Sequence, residues 1–181
     1  MTWEELWSRF AAAQHLAPST LRGYQRDLEL FLRYWDGQIA TPKELRSHHL
    51  HEYYRLQKRQ VSLATAGQRM RSVLILLGWA ERTELLLLNP GAAMKIPKPN
   101  RPIQPVFTPD QVQSLLAQAS QGRGFSGLRD RALMELLYGT GMRAGEVVAL
   151  NVEDIDLSDS SLQILVGKGS CRRIPFGVAV G

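Results

Sequence analysis

A single cysteine, Cys171, stands among the 181 residues. An internal disulfide and a multi-cysteine metal site are therefore excluded, and the chain suits a reducing compartment. Long apolar runs are missing as well. The longest, such as Leu85 to Leu88, fall far below the ~18 residues of a membrane span, and Met1 to Phe10 carries acids where a secretory leader would carry a basic segment. A cytoplasmic protein with no membrane partner is expected. Histidine is scarce, and the spacing of His48, His49 and His51 lacks the i, i+4 pair that sets two ligands on one helical face. No metal site is expected.

What the chain does have is a soluble, globular composition, 44% hydrophobic and 22% charged, enough for one domain or two small ones. Its formal charge of +5 suggests a polyanionic partner. The excess is uneven: up to Pro102 there are fifteen Lys and Arg against nine Asp and Glu, and beyond it seven against eight.

The basic part reads as a helical bundle over residues 1–89. Thr2 and Glu5 form a capping box ahead of the stripe Trp3, Leu6, Trp7, Phe10. A second helix runs from Pro18 to about Trp35, with Leu28 and Phe31 inward and Arg22, Arg26 and Arg33 outward, until Gly37 stops it. Ser47 begins a third helix, and a fourth follows Ser62, burying Met70, Val73, Leu74 and Leu77 and presenting Thr65, Gln68, Arg69 and Ser72 as a polar stripe. Hydroxyl, amide and guanidinium groups are what phosphates and base edges accept, so Thr65, Gln68 and Arg69, with the pair Lys58 and Arg59, are candidates for DNA contact; the same residues also fit a solvated helix face. Five of the nine prolines fall between Pro90 and Pro105, where a helix cannot continue. Residues 90–106 are thus expected to be a linker, made basic by Lys95, Lys98 and Arg101, which suits a strap lying along a phosphate backbone and adds Lys95 and Lys98 to the candidates for DNA contact, though the same residues also fit an ordinary polar tether. Residues 107–181 are expected to be a second domain, opened by a capping box at Thr108 and Gln111.

In that second domain Tyr138 to Asp156 reads YGTGMRAGEVVALNVEDID. A short helix from about Arg143 to Leu150 puts Arg143 and Glu146 three apart on one face, where they can meet. Tyr138 closes an apolar helix and is expected to pack. After Asp156 the periodicity changes: Leu162, Ile164 and Val166 alternate, then Gly167-Lys168-Gly169 turns toward Arg172 to Pro175. That is a hairpin with Lys168 at its tip. Two nucleotide-binding readings fail on context. Gly139 to Ala144 fits G-x-G-x-x-G/A, with Asp159 about 20 residues on, but Leu128 to Tyr138 has helical spacing where a strand is required. Gly167 to Ser170 lacks the upstream glycine and adjacent hydroxyl of a phosphate-binding P-loop.

The stretch TGMRAGEVVALNVEDID followed by ILVGKGSCRRIP resembles the first half of the catalytic domain of the tyrosine recombinases, the phage-integrase and Xer-type family. The resemblance runs over nearly the whole chain. It implies a mainly α fold, an N-terminal SAM-like core-binding bundle followed by the first, α+β part of a catalytic domain with a β-hairpin. It also implies double-stranded DNA as partner, gripped by the helical domain opposite the catalytic one, and assembly as a tetramer on DNA, an assembly not expected of so short a chain. By resemblance Arg143 is the first catalytic arginine, Glu146 the acid that orients it, and Lys168 the lysine that protonates the leaving oxygen; Arg172 and Arg173 join the DNA-contact candidates. Arginine and lysine supply the charge a metal would supply elsewhere, so no cofactor is expected. The family's His-x-x-Arg box and nucleophilic tyrosine would lie beyond Gly181, so the expectation is a truncated chain that binds DNA without cutting it alone. A derivative that only binds or regulates DNA is the alternative.

Overall fold

Side-chain hydroxyls start three of the helices at positions where the sequence places them. Thr2 Oγ1 accepts from the Glu5 N–H and Glu5 returns the bond, opening α1 (Trp3–Ala13). Ser62 caps α4 (Leu63–Arg82), and Thr108 with Gln111 caps α5 (Pro109–Ser120), each satisfying N–H groups that a helix start leaves unpaired. The computed structural model describes residues 1–99, 104–122, 124–164 and 172–177. The chain is mainly helical and divides into two units, Met1–Pro102 and Ile103–Gly181.

In the first unit α2 (Pro18–Trp35) and α3 (Ser47–Gln60) join α1 around α4, which packs against all three. Leu6, Phe10, Phe31, Leu50, Tyr53 and Met70 are fully buried there, and Phe31 meets Tyr53 edge-on at 5.0 Å, the geometry aromatic quadrupoles favour. Burial pushes the Tyr53 phenol up to about 12. The left-handed turn that ends α2 begins one residue earlier than expected, at Asp36 (φ 40), before Gly37 (φ 78). Ser72 corrects the expected polar stripe: it is buried, and its hydroxyl donates to Asp27 Oδ2 at 2.7 Å. A buried carboxylate requires such a partner, so this serine joins α4 to α2 instead of facing solvent.

Nor do residues 90–99 leave the bundle. Met94 and Ile96 pack against its core, Gly91 N–H donates to Asn89 Oδ1, and Arg71 Nη2 donates to the Pro97 carbonyl at 3.3 Å.

The second unit pairs α5 with α6 (Phe125–Thr140), and α6 with the short α7 (Ala144–Val148). Helix α6 runs straight into Gly141 (φ 63), so no strand precedes the glycines. Among the described residues three antiparallel strands follow in the order β1-β2-β3: β1 (Ile155–Asp156), β2 (Ser161–Ile164) and β3 (Arg172–Pro175). The sequence reading expected only the last two. Its hairpin tip, with Val166 and Lys168, lies outside the described residues. Leu162 pairs with Ile155 and Ile174, and with Met142, Val147 and Ile164 it forms a small core. Tyr138, expected to pack, is 62% exposed, because that core reaches α6 through Leu136. Other large apolar side chains, among them Leu128 and Val148, are also exposed.

Candidate functional site

Arg143 is the N-cap of α7 and not its first helical residue, as the sequence reading had it. The extended backbone there (φ −74, ψ 146) turns its N–H toward Glu146, whose Oε2 accepts it at 2.8 Å while Oε1 accepts from Arg143 Nη1 at 2.9 Å. A third bond was not foreseen. Arg172 Nη2 donates to Glu146 Oε2 at 2.8 Å, because the pairing of Ile164 with Arg172 and of Leu162 with Ile174 sets Arg172 on the core face of the sheet.

One carboxylate, 9% exposed, therefore joins two guanidinium groups, of which Arg172 is 38% and Arg143 76% exposed. The Arg143 N–H holds the Glu146 carboxyl below its ordinary 4.5; partial desolvation pushes the other way, and the Arg143 side chain and the Arg172 charge lower it further. A carboxyl whose folded value is lowered stabilises the fold above its unfolded value, and the contribution disappears as pH falls through the folded one. Glu146→Gln is thus expected to melt below wild type at neutral pH and to converge with it under acid, readable from thermal melts taken between about pH 7 and about pH 3.

Arg173, next in sequence, faces the other way. It pairs with Asp156 at 3.3 Å and Asp159 at 2.6 Å, and its Nε donates to Ser161 Oγ. These acids close the turn into β2, with Asp156 Oδ1 accepting from Ser158 and Asp159. The Ser158 hydroxyl foremost, then the Asp159 N–H and the Arg173 charge, hold the Asp156 carboxyl below its usual value. The two arginines named together for DNA contact thus have different neighbours. Lys168 lies outside the described residues.

The first unit holds an open groove of about 910 Å³ between α2, the N-terminal half of α4 and residues 98–99. Thr65, Gln68, Arg69 and Lys98 line it as neighbours, together with Arg26 and Arg71, which the sequence reading had not named as site residues. Arg69 is steadied by the buried Gln57, which accepts its Nη1 at 2.6 Å. Lys58, Arg59 and Lys95 are exposed but not among the groove's lining residues; Lys58 sits 5.2 Å over the Tyr54 ring. Outward-facing arginines on α2 are legible from periodicity. That Arg26 shares a groove with Arg69 depends on how α2 crosses α4, which spacing within either helix does not encode. Among the described residues no group of His, Cys, Asp and Glu could hold a metal ion, and no helix is long and apolar enough to cross a membrane.

Two family models match in chain order: the phage integrase N-terminal SAM-like domain over residues 4–82 and the phage integrase family over residues 105–180. The chain is 31% identical over 168 residues to the tyrosine recombinase XerD of Ralstonia nicotianae, covering 92% of this chain and 54% of the relative. It is 33% identical over 177 residues to the tyrosine recombinase XerC of Alcanivorax borkumensis, covering 94% and 55%. It spans about half the length of the curated relatives it matches. Among solved structures, a lambda integrase tetramer bound to a Holliday junction superposes with a TM-score of 0.75 at 20% identity, over 98% of this chain and 52% of that one. The Tn1549 transposon integrase in complex with circular intermediate DNA does so with a TM-score of 0.72 at 19% identity, over 98% and 61%. At those identities the likeness is one of fold. With the SAM-like bundle and the Arg143-bearing unit matched in order, and Xer relatives aligned over almost its whole length, the chain belongs to the phage integrase family of tyrosine recombinases.

Proposed function

We propose that this chain binds duplex DNA and contributes the first part of a tyrosine-recombinase active site, in which a strand is cut and rejoined through a 3′-phosphotyrosyl intermediate. The observation that carries the reading is the Arg143–Glu146–Arg172 bridge. Attack on a phosphodiester builds negative charge on its non-bridging oxygens, and a donor fixed in advance stabilises that charge better than one that must reorganise. Glu146 takes one hydrogen bond from Arg143 Nη1, leaving the Nε–Nη2 edge of a mostly exposed guanidinium to meet phosphate oxygens in pairs. Arg172 shares the carboxylate, so the bridge keeps a net positive charge. Lys168 is the proton donor to the leaving 5′-oxygen in this reading, a role that rests on the family motif. The tetramer on a junction described for the lambda integrase is the kind of assembly in which the complete active site would work.

DNA enters through the first unit. Arg26, Arg69, Arg71 and Lys98 ring the groove and supply phosphate contacts, while Thr65 and Gln68 offer groups that can read base edges. A cytoplasmic location suits both the DNA partner and the lone cysteine.

Gel shifts of the full chain on duplex DNA test the binding. Each phosphate neutralised contributes about −0.9 to the slope of log affinity against log salt, so four cations lower affinity on the order of 100-fold between about 50 and about 200 mM salt. No shift at low salt, or a shift indifferent to salt, refutes the reading.

A further inference from the structure

Residues 91–99 retrace α4 toward its N-terminal half. Near the start of the segment, a Cβ on Gly91 would lie 2.3 Å from Leu74 Cδ2 and 3.3 Å from Leu50 Cδ1, so the backbone touches those side chains directly. Five residues on, Ile96 Cγ2 lies 3.2 Å from where a Cβ on Gly67 would stand, and the Arg71 guanidinium closes over the same glycine at 3.4 Å. Arg71 also holds the Pro97 carbonyl. Lys98 and Pro99 then form one wall of the groove.

Gly67 is buried inside a twenty-residue helix, although glycine is the poorest helix former after proline. A close approach of another chain segment accounts for a glycine in such a place, and Ile96 makes that approach. We propose that residues 91–99 are a strap docked along α4, and that the bare backbone at Gly67 is the positioning element that brings Lys98 to the groove of Thr65, Gln68 and Arg69. The prolines at 97 and 99 serve the same end, holding the strap extended. The partner is the phosphate backbone of a duplex, so the inference rests on the DNA-binding reading above.

Two measurements on the full chain separate the strap from that reading. The first needs no DNA. Lys98 and Arg101 each precede a proline, where trypsin does not cut, which leaves the Lys95–Ile96 bond as the cleavable site within residues 90–105. Docking protects it, and opening the strap exposes it. Gly67→Leu, which raises helix propensity while filling the Ile96 contact, is expected to speed that cut several-fold, as is Ile96→Ala, which leaves α4 untouched. A wild-type cut as fast as in both variants overturns the docked strap.

The second titrates a labelled mixed-sequence duplex at several salt concentrations. Lys98→Ala is expected to reduce the salt slope by about 0.9, one phosphate contact, and Ile96→Ala to do the same. The double variant should bind no worse than either single, since residues acting through one another are not additive. Losses that multiply in the double variant overturn the positioning role. Failure of the wild type to bind the duplex refutes the DNA reading instead, and the tryptic comparison still decides whether the strap is docked.

Discussion

A chain carrying Gly127→Val is expected to lose the melting transition of its second unit while that of the first stays in place. Gly127 lies in the first turn of α6 and is buried. A Cβ there would stand 2.3 Å from the Gly122 carbonyl oxygen, 2.8 Å from its carbon and 3.0 Å from the Ala119 oxygen. All three are backbone atoms, so no change of rotamer relieves the clash, and α5 and α6 must separate. Forcing extra carbon into a packed site costs about 1–3 kcal/mol where neighbours can give way, and here they cannot. The unit has little to set against that loss, with Met142, Val147, Leu162 and Ile164 as its buried cluster. Calorimetry of wild type, Gly127→Ala and Gly127→Val should show a graded loss confined to one transition. Two unchanged transitions in the valine variant would mean that the backbones are not in contact.

Arg143→Ala is expected to lower strand cleavage by about 100- to 1000-fold, the usual cost of removing a preorganised donor to a developing oxyanion, in a chain completed with the remaining part of a relative such as XerD of Ralstonia nicotianae. Duplex binding should change little, since the groove cations of the first unit are untouched. Without Arg143, Glu146 still accepts from Arg172 and the N-cap backbone still reaches the carboxylate, so the fold of α7 persists. Suicide substrates followed by denaturing electrophoresis read the cleavage, and melting reads the fold. Cleavage within several-fold of the unmutated chimera would remove Arg143 from the chemistry; collapse of the melting transition would make it a structural ion pair.

The parts legible in the sequence are those whose partners are a helical turn apart. Thr2 with Glu5, Thr108 with Gln111, and Arg143 with Glu146 all bond across three residues, and spacing alone brings such pairs together. What escaped depends on distant segments. Ser72 looks like any surface serine until Asp27, 45 residues away, is beneath it. Arg172 looks like one of a basic pair until the β2–β3 register turns it toward Glu146, 26 residues away. Residues 90–99 read as a linker because proline declares only that a helix ends; it does not say where the extended chain lies down. The strand β1 was too short, at two residues, for alternation to reveal.

The adjacency of Arg172 and Arg173 leaves the choice of arginine behind Arg143 to the register of β3. Slide the strand by one residue so that Arg173 stands opposite Ile164, and Glu146 can still meet a guanidinium, but Ile174 then takes the place opposite Gln163 from which Arg173 reached Asp156 and Asp159. The slip also replaces Ile174 and Phe176, which pack against the small core, with Pro175 and Gly177 on the inner face, and it reverses every side chain of the strand at once. Charge and oil thus select the same alignment, and changing Ile174 to a polar residue would loosen the charge arrangement without touching a charge.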